Sequence, residues 1–215
     1  MLGIKQHVSC AMSQKVARIR IELEHIEPRI WRRVEVSLTT SLRALHEIIQ
    51  AAMGWENYHL YQFTVGDRVY GEPDPEDMVW GRKIYQAKGM RLGTLLDRDV
   101  TEFLYTYDFG DDWQHKITVE EVSDAEPGTD YPRFVDGERT APPEDVGGPP
   151  GFIEFVEAMA KPRHPQHKDL VRWYGGPFNP VDFGAQNVAD DIRKIAQKRK
   201  AALEAFERSR AKRLH

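Results

Sequence analysis

The chain has one cysteine, Cys10, in 215 residues. A lone thiol excludes an internal disulfide and any cysteine-rich zinc site, and in its loose N-terminal setting Cys10 reads as a surface thiol. No run of about 18 apolar residues occurs, so no membrane-spanning helix and no membrane partner is expected. The opening MLGIKQHVSCAMSQ lacks the apolar stretch and cleavage pattern of a secretory signal, which leaves a cytoplasmic location as the default expectation. Also missing are an H-E-x-x-H pair, a nucleophile elbow and a dinucleotide fingerprint. The stretch VGGPPG (146–151) has the look of an anion cradle opening a helix, but without a Walker lysine it reads as a helix-entry turn. HPQH (164–167) is at most an adventitious metal contact. No cofactor and no metal site is therefore expected from motifs.

What is present is the composition of a soluble globular protein, with 40% hydrophobic and 30% charged residues. The net charge of -4 conceals an asymmetry. From Arg193 to His215 nine Lys/Arg face two Glu, a local balance of +7, so the rest of the chain carries -11. An acidic body with a basic tail differs from a compact DNA-binding domain, whose basic patch lies on the folded surface. The tail residues Arg193, Lys194, Lys198, Arg199, Lys200, Arg208, Arg210, Lys212 and Arg213 are candidate contacts for nucleic acid or an acidic protein.

Hydrophobic periodicity organises the rest. VARIRIELEHI (16–26) and RIWRRVEVSL (29–38) alternate as strands. WRR within the second offers Arg32 or Arg33 to phosphate, or else forms a solvated strand face. TTSLRALHEIIQAAMGW changes to helical spacing, with Leu42, Leu45, Ile48, Ile49, Ala52 and Met53 on one side. Thr40 or Ser41 caps its start and Gly54 its end. HLYQFTVGDRVYG (59–71) is a strand, a Gly-Asp turn and a return strand, and EPDPEDMVWGRK is a polar loop. MRLGTLL makes one helical turn, and residues 102–122 form a hairpin. Residues 123–150, rich in Pro and Gly, read as a long loop. Helices are predicted over 151–160 and 165–176, and a long final one from Ala185. Its stripe of Val188, Ile192, Ile195, Ala202, Leu203 and Phe206 predicts docking to about Phe206. Strands and helices segregate, which predicts an α+β fold with a mainly antiparallel sheet, packed helices and a long C-terminal helix. The expected organisation is a flexible extension at 1–14, one domain at 15–206 and a basic tail at 207–215.

The hairpin FLYTYDFGDDWQHKITVE carries the chemistry-bearing residues. Alternation places Phe103, Tyr105, Tyr107 and Phe109 on one face with Trp113, His115, Ile117 and Val119 opposite. Gly110 is expected to supply the unusual dihedral, with Asp111 or Asp112 bonding the turn. His115 on the apolar face is either a core histidine holding one hydrogen bond or a site residue oriented by Asp108 and Asp112. Alternation points Asp108 away from that face. His46 and His59 join His115 only if helix and sheet pack together.

PRIWRRVEV, LHEIIQAAMGWENYHLYQF, the hairpin, YPRFVDGERTAPPEDVGG, GFIEFVEAM and WYGGPFNPVDF fall in the order seen in the plasmid Ri open-reading-frame-three-like family. This chain resembles that family over about residues 15–195. Its members are also described as insertion-element passenger or TnpR-type proteins. The resemblance implies a compact, roll-like α+β single domain found in bacteria and archaea, and no assigned activity. His46, His59, Asp108, Asp112, Trp113 and His115 match the family pattern. The chain departs at Phe134, Ala141 and Val146, where members often carry cysteine, and at Tyr61, where they often carry a second histidine. A serine recombinase needs a serine ringed by arginines and a helix-turn-helix, and neither is recognisable here.

Two functional readings follow, beside a third, a scaffold or oligomeric structural protein, that would need an exposed apolar patch. One is a non-catalytic binding module for a protein or nucleic-acid partner, associated with mobile elements. The other is a hydrolase or nuclease-like enzyme using His46, His59 and His115 with Asp108 or Asp112.

Overall fold

A computed structural model describes residues 14–73 and 83–213, with the side chain of Arg213 excepted. Most of the expected extension (1–13), most of the polar loop (74–82) and the last two residues of the tail lie outside the described residues.

The alternating segments pair into one eight-stranded sheet of order β5-β4-β3-β6-β7-β1-β2-β8. The strands are β1 (Lys15–Leu23), β2 (Trp31–Ser37), β3 (Tyr61–Val65), β4 (Arg68–Gly71), β5 (Ile84–Gln86), β6 (Glu102–Tyr107), β7 (Trp113–Asp124) and β8 (Arg133–Glu138). Every pairing is antiparallel except that of β4 with β5. One face turns Ile19, Ile21, Val34, Val36, Phe63, Tyr105 and Ile117 into the core. The other is laced by charge. Glu35, only 5% exposed, accepts from both Arg18 and Arg133, at 2.8 and 2.6 Å. The β1–β7 register jumps between Arg18 and Ile19, leaving Glu120 as the extra residue of a bulge. That residue forms a bidentate pair with Arg33, at 2.6 and 2.9 Å.

Helix α1 (Leu42–Met53) has the caps its sequence announces. Ser41 Oγ accepts from the Ala44 N–H at 3.2 Å, and Gly54 is left-handed at φ 75°. Its predicted stripe is buried whole, each Leu or Ile contributing about 1.5–3 kcal/mol. The stripe also buries His46 and Gln50. Helix α2 (Leu92–Leu96) is the expected single turn. Helix α3 (Gly148–Ala160) begins three residues before the predicted start, because Pro149 and Pro150 occupy its first turn, where a missing N–H costs nothing. Helix α4 (His167–Tyr174) packs on α3 and closes at Gly175. The long α5 (Ala185–Arg213) packs on α1 and β8. None of the described helices is long and apolar enough to cross a membrane.

Several expectations change. β8 lies inside the stretch read as loop; its pairing with the edge of β2 is a tertiary contact that local Pro and Gly signals conceal. Phe109 is 45% exposed and not part of the aromatic face, because the strand ends at Tyr107. Gly110 is not left-handed; Asp108 and Asp112 are, at φ 54° and 53°. Arg32 is neither solvated nor open to phosphate. It is 1% exposed, donates to the carbonyls of Ala52, Trp31 and Glu138, and stacks on Phe183; burial lowers its pKa to about 10. Finally, α5 docks through Val188, Ile192 and Ala196, and Leu203 and Phe206 are 61% and 66% exposed. The sheet and α1 do not extend far enough to cover them.

Candidate functional site

The histidines converge on one end of the sheet, where the C-terminal end of α1, the lead-in to β3, the β6–β7 turn and the loop before α3 meet. Tyr105 and Tyr107 stand between them. Gln50 Nε2 donates to the Tyr105 hydroxyl at 3.0 Å, and that hydroxyl donates to His46 Nδ1 at 2.8 Å. His46 Nε2–H then donates to Asn57 Oδ1 at 2.7 Å, and the Asn57 N–H returns to Gln50 Oε1 at 3.0 Å. The ring closes on itself and fixes His46 as the neutral Nε2–H tautomer. Its imidazole also stacks on Tyr61 at 3.6 Å. Burial is the main cause that drives its pKa down to about 4; the Asn57 bond partly opposes it, and Arg43 adds to it.

His115 belongs to the core. It is 0% exposed, edges onto Trp55 and lies 5.4 Å from the Tyr105 ring. Its Nδ1 meets the Trp113 carbonyl at 3.2 Å, and its Nε2 has no partner. Burial drives its pKa down to about 3. No carboxylate reaches it among the described residues. Asp112 is exposed and holds Gln114 Nε2 at 2.8 Å. The three histidines therefore share an aromatic frame without facing one point.

His59 has different neighbours. Its Nε2 lies 3.0 Å from Asp145 Oδ1 and 3.6 Å from Asp108 Oδ2. Asp108 turns toward His59 because its left-handed backbone ends the strand alternation that pointed it elsewhere. Its Oδ1 caps the turn, accepting from the Gly110 N–H at 2.9 Å. Asp145 escaped the sequence reading because it lies in the Pro/Gly-rich loop; its only signal there was an acidic residue next to VGG.

That loop is tied down at three points. The Tyr107 hydroxyl donates to Glu144 Oε1 at 2.5 Å and accepts from the Tyr58 N–H at 2.9 Å. Burial first, then Glu144, raise the Tyr107 phenol well above its usual range. Trp55 Nε1 donates to the Pro142 carbonyl at 2.8 Å. The Gly147 N–H donates to Asp111 Oδ2 at 3.1 Å, so the VGGPPG helix entry already has a carboxylate over it. A Cβ at Gly148, left-handed at φ 67°, would lie 2.5 Å from the Asp111 carbonyl oxygen, which explains a glycine there.

The tail cations are not equivalent. Arg193 pairs with Asp190, Lys194 with Asp191, Lys200 with Asp130 and Arg208 with Glu204. Arg199 lies partly buried against the body with Nη1 enclosed and unpartnered. Among the described residues, Lys198, Arg210 and Lys212 are exposed and carry no ion pair. Arg213 is the last position of the helix.

An antiparallel sheet carrying α1 on its core face, a long terminal helix beside it and histidines framed by tyrosines at one end define an α+β class. The chain belongs to the plasmid pRiA4b ORF-3-like protein family, whose model matches residues 15–187. It is 43% identical over 177 residues to the uncharacterized protein y4hQ of Sinorhizobium fredii (strain NBRC 101917 / NGR234), covering 82% of this chain and 88% of that one. It is also similar to the crystal structure of a protein of unknown function, MM3350 from Methanosarcina mazei Go1. There the TM-score is 0.74 at 35% identity, covering 81% of this chain and 97% of that one.

Proposed function

We propose that the protein is a non-catalytic binding module that presents the distal half of α5 to an acidic protein partner. The observation that carries this reading is the uncovered continuation of a docked stripe. Positions 188, 192, 196 and 199 of α5 face the body, and the same helical face continues through Leu203, Phe206 and Arg210. Every described side chain from Ala201 onward is exposed. Arg199 and Arg210 lie on this face, and Lys198 and Lys212 add positive charge on the other sides of the helix, giving a basic helix with an apolar stripe of the kind that lies in an acidic, apolar-floored groove. Two large apolar side chains on that face favour protein over nucleic acid, since a phosphate backbone would leave them in water.

The test uses fluorescence anisotropy with the full chain and three probes: a peptide alternating Glu with Leu and Phe, a DNA duplex and single-stranded RNA. The expected result is salt-sensitive binding of the peptide that is lost in the double variant Leu203→Ser/Phe206→Ser, with weaker binding of both nucleic acids. Peptide binding that ignores the double variant, or no peptide binding, would overturn the reading. Tight nucleic-acid binding that depends on Lys198, Arg210 and Lys212 would replace the protein partner with nucleic acid.

A further inference from the structure

We propose that His59, Asp108 and Asp145 form a binding site for one divalent transition-metal ion. The ligand atoms of these residues all lie within 4.8 Å of one another, and among the described residues no other set of three His, Cys, Asp or Glu does so. They come from three separate segments: the lead-in to β3, the end of β6 and the loop before α3.

Each segment is held by bonds that leave the ligand atom itself free. The Asp108 N–H donates to the Leu60 carbonyl at 2.9 Å, and Gly110 occupies Oδ1, so Oδ2 is the atom turned to His59. The His59 N–H donates to the Tyr107 hydroxyl at 3.3 Å, and its ring stands edge-on to Tyr107 at 5.8 Å. Asp145 follows Glu144, which Tyr107 and the Glu56 N–H hold at 2.5 and 3.0 Å. Tyr107 thus acts behind the site as the shared support of two ligands, the role outer-shell groups play around metals.

An independent observation separates a metal site from an ion pair. His59 Nε2 is shut off from solvent yet forms no hydrogen bond, although Asp145 Oδ1 is only 3.0 Å away. The oxygen lies off the axis that an Nε2–H would need. Off-axis oxygens are what a metal ligand shows, because the ion occupies the axis and the other donors sit to its side. With bonds of about 2.1 Å, neighbouring donors of an octahedral or tetrahedral ion are about 3.0 to 3.4 Å apart. The observed 3.0 Å falls within that spacing, and 3.6 Å lies about 0.2 Å beyond its upper end. The two carboxylates offer oxygens within 4.8 Å of each other, and Asp145, whose side chain is 67% exposed, is the member free to adjust to an ion.

The donor set selects the ion. One imidazole nitrogen with two carboxylate oxygens suits Zn²⁺, Mn²⁺ or Fe²⁺. Ca²⁺ takes six to eight oxygens and Mg²⁺ keeps to oxygen and water, so neither fits a three-donor site with nitrogen. Asp145, as the exposed member, marks the side from which an ion would enter.

The experiment titrates the chelator-stripped full chain with Zn²⁺ by calorimetry and with Co²⁺ by visible absorption. The expected result is one saturable site per chain, with a Co²⁺ spectrum showing nitrogen and oxygen ligation. His59→Gln and Asp145→Asn should each weaken binding by about tenfold or more. Asp145→Asn changes an exposed side chain and keeps the fold, which circular dichroism verifies. The double variant His164→Ala/His167→Ala should bind as the parent does. Absence of a stoichiometric site in the parent would overturn the proposal. So would parent-like binding by both His59→Gln and Asp145→Asn, or loss of binding in the His164/His167 variant. None of these outcomes depends on the partner of α5.

Discussion

Acidification should destabilise this protein well above the pH at which its carboxylates titrate, and the two buried histidines set the size of the effect. In the unfolded chain a histidine takes up its proton near pH 6.5. In the folded chain burial holds His46 down to about 4 and His115 down to about 3. Between those limits the unfolded state binds more protons than the folded one, so stability is complete above pH 6.5 and falls as pH drops. Each histidine contributes a slope that approaches about 1.4 kcal/mol per pH unit below the unfolded value, so the pair removes about 4 kcal/mol between pH 7.5 and 5.0. That is a large part of the roughly 5–15 kcal/mol that holds a domain folded. Glu120 and Glu126, whose pKa values are lowered by Arg33 and Arg133, add their own loss only below their unfolded values, outside this window. The assay is urea unfolding followed by tryptophan fluorescence at pH 7.5, 6.5, 5.75 and 5.0, in chelator. His115→Phe isolates one of the two contributions. Phenylalanine suits the aromatic surroundings, and the unpartnered Nε2 is a polar burden that its removal relieves. The slope of that variant should be about half that of the parent. A flat parent profile, or an equal slope in both proteins, would refute the reasoning.

Other perturbations follow from single contacts. Gly148→Ala should cost about 3 kcal/mol, roughly 10 °C in Tm by calorimetry, because the new Cβ meets the Asp111 carbonyl at 2.5 Å in a left-handed conformation. Arg32→Leu leaves the carbonyls of Ala52, Trp31 and Glu138 unpaired, and should cost about 3 kcal/mol in denaturant unfolding. Trp55→Phe loses the bond to Pro142 and part of the packing on Tyr107, Trp113 and His115, so a loss of about 2 kcal/mol is expected. Truncation after Ala201 removes, among the described residues, only exposed side chains, and should leave the unfolding free energy from urea titration within about 0.5 kcal/mol of the parent.

How far the sequence carries varies by element. Helix α1 was legible end to end, because Ser41, Gly54 and the stripe between them are local signals separated by a few residues. The strands of the β6–β7 hairpin were legible for the same reason, with Tyr105, Tyr107, Trp113 and His115 on the apolar face, but the dihedrals of its turn were not. The face of Arg32 was not: its fate depends on the Ala52 and Glu138 carbonyls, far along the chain. The docked part of α5 and its bare end carry the same apolar spacing, and only the extent of the body beneath them distinguishes the two.

The candidate site divides along the same line. By itself the sequence determined the residue types available at this end of the sheet, the aromatic alternation that frames them, and the polarity that puts a basic helix at the C-terminus. Those are properties of short windows, where period and capping decide. The tertiary structure alone decided which acids His59 meets. Asp108 reaches it through a left-handed turn residue that breaks the strand alternation, and Asp145 through a loop held by Tyr107, Trp55 and Asp111. Long-range contacts close loops whose ends no local pattern connects, and the packing that repays their entropy exists only once the whole sheet is formed.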